Sequence, residues 1–176
     1  MRSTVSKLNP NFDLLSNSQS YSDFSQNNIQ KFPRIRKKLK VLKLKYTSLS
    51  SIPRDAFPAP AHNRLEELHL EGCFRLVNLP KTIYNLEHLK VLDLHGTGLN
   101  KLPEELSLLK RLERLDISKT RICSLPTGIR ELKRLKEFRF HHTGILRCIP
   151  HKITFYVSRQ NEEPRMDTEF STVAFE

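Results

Sequence analysis

The chain has no tryptophan, five glycines and three cysteines among 176 residues. Cys73, Cys123 and Cys148 are too widely separated to form a disulfide framework or a CxxC zinc pair. No apolar run reaches the roughly 18 residues of a membrane-spanning helix, so no membrane segment is expected. The opening MRSTVSKLNPNF lacks the apolar centre of a signal peptide, and no Asn-x-Ser/Thr sequon occurs after it. Secretion is therefore not expected. A reducing compartment fits, cytoplasmic or, through a basic import signal, nuclear. Acidic residues are missing from one stretch altogether. Between Lys31 and Ser50 there are eight basic residues and no acidic one, which supplies +8 of the formal +11. Such an excess raises the question of a nucleic-acid partner.

Composition divides the chain into four parts. Half of residues 1–30 are Ser, Asn or Gln, and so polar a stretch buries too little to offset its ordering entropy. It is expected to be disordered or to form a degenerate cap. Residues 31–38 are a basic lead-in. A repeat fills 39–150. A polar tail takes up 151–176, where the alternation in EFSTVAFE predicts one short strand.

The repeat decides the fold. Leu39, Leu65, Leu89, Leu112 and Leu135 open segments reading LKVLKLKYT, LEELHLEGC, LKVLDLHGT, LERLDISKT and LKEFRFHHT. Each runs on to an apolar-Pro pair: Ile52-Pro53, Leu79-Pro80, Leu102-Pro103, Leu125-Pro126 and Ile149-Pro150. Three then show helical spacing, Ile83/Leu86, Leu106/Leu109 and Ile129/Leu132. The LxL core, as in Leu92-Asp93-Leu94, has the two-residue period of a strand with its leucines on one face. Proline cannot donate to a sheet ladder, so the chain has left the sheet by each Pro. The segment after each Pro spans about two turns, which predicts a short helix or 3₁₀ segment. One such unit cannot bury its leucines alone, whereas stacked units can, each Leu contributing about 1.5–3 kcal/mol. The expected fold is an α/β solenoid of about five repeats, one parallel strand per repeat. The column Thr47, Cys73, Thr97, Thr120 and Thr143 places a small hydrogen-bonding side chain where the chain turns beneath the sheet.

The period LxxLxLxx(T/C)xLxxLPxxIxxLxx resembles the leucine-rich repeat family over residues 39–150. Within that family it is most similar to the repeats of plant intracellular nucleotide-binding disease-resistance proteins. The segments LEELHLEGCFRLVNLPKTIYNLEHLKVLDLHGT and LERLDISKTRICSLPTGIRELKRLKEF carry the likeness. The resemblance implies a non-catalytic protein-binding module in defence signalling. Similar LP-type repeats in host-directed bacterial effectors and Ras-group signalling scaffolds are the alternatives. The chain departs from an immune receptor in having no GxxxxGK[ST] phosphate loop, so only the sensor part is represented.

In such a solenoid the strand residues flanking the buried leucines form one open face, where a protein partner is expected. A first column holds Val41, Glu67, Val91, Arg114 and Glu137, and a central one Lys43, His69, Asp93, Asp116 and Arg139. A third holds Lys45, Glu71, His95, Ser118 and His141. Mixed sign suits a protein epitope better than a nucleic-acid backbone, so nucleic acid is not expected there. The basic patch Arg34, Arg36, Lys37, Lys38 and Lys40 has three readings: the solvated lip of the first repeat, an import or nucleic-acid contact, or a site for an anionic protein. A second basic run, Arg130, Lys133, Arg134 and Lys136, is placed in a helical stretch facing solvent. His141, His142, Cys148 and His151 match no familiar zinc spacing, and Cys123 has no fixed His partner. Catalytic residues, metal ligands and cofactors are accordingly not expected. The ends show no cap, which predicts fraying and self-association through them.

Overall fold

The computed structural model describes residues 20–145 and 172–174. The expectations for residues 1–19, Ile149-Pro150, Cys148, His151 and most of the tail lie outside these residues. The described strands are β1 (Tyr21–Asp23), β2 (Val41–Lys43), β3 (Glu67–His69), β4 (Val91–Asp93), β5 (Arg114–Asp116), β6 (Glu137–Arg139) and β7 (Thr172–Ala174). They form one sheet in sequence order. The first six are parallel, in a register that stacks Leu42, Leu68, Leu92, Leu115 and Phe138. These five side chains are 0–1% exposed, which confirms the inward phase of the leucine pattern. β7 pairs antiparallel with β6, within the segment whose alternation predicted a strand.

The return path lies opposite the sheet. Pro80, Pro103 and Pro126 each hold an extended backbone and lead into η2 (Lys81–Asn85), η3 (Glu104–Leu108) and η4 (Thr127–Glu131), all 3₁₀ helices. A shorter one, η1 (Pro60–His62), serves the repeat before them. Lys133, Arg134 and Lys136 fall beyond η4, so this part of the second basic run is not helical; all three are exposed.

Residues 20–38 add a repeat that the leucine count misses. Tyr21 to Ile29 aligns with Val41 to Leu49, and Phe32-Pro33 stands where the next repeat has Ile52-Pro53. Ser22 occupies the slot of Leu42 and is buried, while Ile29 and Ile35 join the core. Phe32 closes edge-to-face on Phe57 with ring centroids 5.5 Å apart. A parallel neighbour thus covers β2.

One polar column holds the turns. Thr47, Thr97, Thr120 and Thr143 each donate their hydroxyl to the carbonyl three residues back, at 2.7–2.9 Å. Cys73 donates instead to Leu44 O of the preceding repeat, at 3.1 Å, and lies 3.3 Å from the Thr47 hydroxyl. Burial pushes its thiol pKa up, as suits a packed structural thiol. One residue earlier, every repeat turns through the left-handed region: Gln26, Tyr46, Gly72, Gly96, Lys119 and His142 have φ between 53 and 70°. On the return side, the fully buried Asn63 donates its amide to Pro58 O and Asn85 O, both at 2.9 Å.

Candidate functional site

The strand face is built by the alternation that buries the leucines. Of the fifteen residues assigned to it, the first two columns lie on β2–β6, pointing away from the core. The third column sits just past the strand ends, in the turns. The middle strands frame an open hollow of ≈ 130 Å³, lined by Asp93 and Asp116 together with Glu67, His69, Arg114 and Arg139.

Its charges are partly satisfied among themselves. Lys45 bonds Glu71 at 2.7 Å and lies 3.7 Å from Asp93, and Tyr46 donates its hydroxyl to Glu71. Arg114 meets Glu137 at 2.7 Å, and Arg139 also pairs with Glu137. His69 places Nε2 3.0 Å from Glu67 and Nδ1 3.7 Å from Asp93. The nearby Asp93 carboxylate raises the His69 pKa against the opposing effect of burial, with Glu67 helping. For Asp93, burial acts to raise the pKa, but His69, the His95 N–H and Lys45 together hold it below the usual range.

Asp93 and Asp116 share a further arrangement. One oxygen of each accepts the backbone N–H two residues on, from His95 at 3.1 Å and Ser118 at 2.8 Å. Asp23 repeats this with Ser25 on β1, extending the central column by a residue the leucine alignment did not include. The second oxygens of Asp93 and Asp116 have cations no nearer than 3.7 and 4.0 Å, beyond hydrogen-bond range. Each keeps acceptor capacity toward the hollow, on adjacent strands, flanked by Arg114 and Arg139. Beside them Ser118 Oγ bonds His141 Nδ1 at 2.9 Å, and the His95 and His141 rings approach to 5.9 Å across it. Ser118 is fully buried, so the pair serves packing rather than nucleophilic attack. Lys43 lies over the Tyr21 ring, 5.4 Å from its centroid.

A second set of charges runs along the side of the sheet. The residue after each opening leucine alternates Lys40, Glu66, Lys90, Glu113, Lys136, and the parallel register brings them side by side. Lys40 and Lys90 both reach Glu66, at 3.0 and 2.7 Å, and Lys136 reaches Glu113 at 2.8 Å. Of the basic patch, Arg34, Lys37, Lys38 and Lys40 are exposed and Arg36 is half-buried. The patch does not join the strand-face hollow.

The family model for the leucine-rich repeat region matches residues 55–154, more than half of the chain. The chain belongs to the leucine-rich repeat family. Among solved structures, a leucine-rich repeat protein of Leptospira interrogans is similar, at 34% identity and a TM-score of 0.57. The match covers 61% of this chain and 26% of that one, so this chain spans about a quarter of the bacterial protein. No curated protein matches. Leucine-rich repeat proteins are generally non-catalytic interaction modules, and the open strand face has the architecture for that role. Among the described residues no three metal-ligating side chains converge.

Proposed function

We propose that the strand face of this leucine-rich repeat chain recognises a protein partner through the hollow around Asp93 and Asp116. The carrying observation is the pair of carboxylates whose second oxygens lack a close donor, set between His69 and Arg139 in the central column with Arg114 in the column beside them. A partner offering one cationic or N–H donor, flanked by acidic side chains, complements that order of charges. Defence signalling of the plant intracellular type is the biological setting proposed, supported by the LxxLxLxx(T/C)xLxxLP period. A second reading, a host-directed bacterial repeat protein, draws support from the 34% identity to the Leptospira protein. A cytoplasmic location belongs to both proposals.

The test pairs Asp93→Asn with Asp116→Asn, which keeps the side-chain cap on the turn while removing both charges. Proteins enriched from native extract by the wild type and by Lys101→Ala, but lost at least roughly tenfold with the double variant, support the site; tenfold corresponds to about 1.4 kcal/mol. Equal enrichment by all three proteins would move recognition off the strand face. Far-UV circular dichroism checks that the sheet is intact.

A further inference from the structure

The fold assembles a basic surface from residues far apart in the sequence. Immediately before β2, β4, β5 and β6 the chain makes the same two-residue turn. It closes through Leu39 N to Arg36 O, Leu89 N to Leu86 O, Leu112 N to Leu109 O and Leu135 N to Leu132 O, at 2.9–3.0 Å. The central pairs are Lys37-Lys38, Glu87-His88, Lys110-Arg111 and Lys133-Arg134, and Arg64 stands at the equivalent place before β3. Two residues on, a backbone ladder locks the repeats together: Glu66 N to Lys40 O, Lys90 N to Glu66 O, Glu113 N to Lys90 O and Lys136 N to Glu113 O, at 2.7–2.8 Å. The turns therefore stack along one lateral edge. With about 4.8 Å per strand step, the four steps from Lys37 to Lys133 span roughly 19 Å.

Three of the four turns carry two cations each, and all six side chains are exposed, as is Arg64. None of the seven makes an ion pair among the described residues; Lys110 reaches only the Glu131 carbonyl, at 3.5 Å. Carboxylates one column inward, Glu66 and Glu113, are already taken by the ladder lysines. Glu87 is the one acidic residue within the turns.

We propose that this edge binds the phosphate backbone of a nucleic-acid duplex without reading its sequence. A straight row of like charges suits a linear polyanion carrying a charge every ~1.7 Å. The turn pairs contain no Phe, Tyr or Trp on which unpaired bases would stack, their one ring being the half-buried His88, and no apolar side chain to enter a bilayer. The edge is basic apart from Glu87 whereas the strand face is mixed in sign, so the two surfaces serve different partners. Mutations on one leave the other intact.

Fluorescence anisotropy with a short blunt DNA duplex, titrated between about 50 and 200 mM salt, tests this on the full chain. Seven contacts would give log K a slope against log salt of up to about −6. Lys133→Ala with Arg134→Ala lowers the magnitude of that slope by about 2 and weakens binding, while Glu87→Lys raises it by about 1 and tightens binding. Lys101→Ala with Arg121→Ala removes as much charge beyond the other end of the strands and leaves the slope unchanged. The proposal is overturned if that control pair weakens binding as much as the turn pair, or if Glu87→Lys brings no gain. Tighter binding to polyglutamate or to phosphatidylserine vesicles than to the duplex also overturns it, reassigning the edge to an acidic protein or to a membrane.

Discussion

Gly72 and Gly96 occupy the same turn position in successive repeats, with φ of 70 and 64°, yet they should respond very differently to alanine. A Cβ at Gly96 meets nothing closer than the Gly72 backbone at 3.8 Å, so Gly96→Ala incurs only the left-handed penalty of about 1–2 kcal/mol. Reduced freedom of the unfolded chain returns about 0.4–1 kcal/mol of that. At Gly72 the new Cβ would lie 2.3 Å from Cδ1 of the Tyr46 ring and 2.6 Å from Cε1. The ring must swing away. It is 55% exposed and has room to do so, but it then gives up its hydrogen bond to Glu71 and is pushed off its present side-chain conformation. Those losses add roughly 1–2 kcal/mol, so Gly72→Ala should cost about 2–3 kcal/mol in all. Urea unfolding followed by far-UV circular dichroism measures both variants. Adding Tyr46→Asn, a residue that tolerates the left-handed region, should make the double variant about 1 kcal/mol more stable than the sum of the singles predicts. A difference between the two glycine variants below about 0.5 kcal/mol, with no coupling to Tyr46, would refute the argument.

The buried amide of Asn63 supplies donors to two carbonyls of the return path, so Asn63→Ala should cost about 2–3 kcal/mol in urea unfolding. A cost below about 0.5 kcal/mol would show that those carbonyls find other donors. His69→Gln tests the hollow's electrostatics. The raised pKa of His69 means its stabilising contribution is fully present below the unfolded value near 6.5 and is lost as pH rises through the folded value. Asp93, with a lowered pKa, keeps its contribution above an unfolded value near 3.8 and loses it as pH falls through the folded value. Wild type should therefore exceed His69→Gln most at about pH 4–6.5, with the gap closing toward alkaline pH. A gap that is constant or widens with pH contradicts the pairing.

How far the fold was legible depended on what each column has to do. Leu42, Leu68, Leu92 and Leu115 must be large and apolar to fill the stack, so their period shows directly. The Thr and Cys column was legible because only a small donor meets the carbonyls there. The left-handed column was not, since Gln26, Tyr46, Lys119 and His142 have nothing in common chemically and the turn is set by the backbone ladder around them. Tyr21 to Pro33 escaped because Ser22 stands in the slot that Leu42, Leu68, Leu92 and Leu115 fill in the repeats after it. Ile29 and Phe32-Pro33 are the traces left. Within the site, the outward phase of the first two columns followed from strand periodicity, but the accessory bonds did not. Nothing in the local spacing announces that Asp93 and Asp116 each cap a turn with one oxygen and leave the other toward the hollow.

Charge is sorted by the same register at longer range. Lys40, Glu66, Lys90, Glu113 and Lys136 lie 23–26 residues apart, and along the sequence their alternation looks like ordinary surface composition. In-register parallel strands convert it into contacts, so each glutamate is neutralised by lysines of neighbouring repeats. The same register gives the pairs Lys37-Lys38, Lys110-Arg111 and Lys133-Arg134 no carboxylate between them except Glu87. The solenoid thus sorts much of its charge into a self-paired ladder, a mixed strand face and an unpaired basic edge. Like charges stacked at strand spacing cost the folded chain repulsion that the alternating ladder avoids. Neutralising a basic turn should therefore relieve repulsion, whereas neutralising a ladder lysine removes an ion pair; surface pairs contribute about 0–1 kcal/mol, so both effects on stability stay small. The large consequence of the basic turns lies in what they attract.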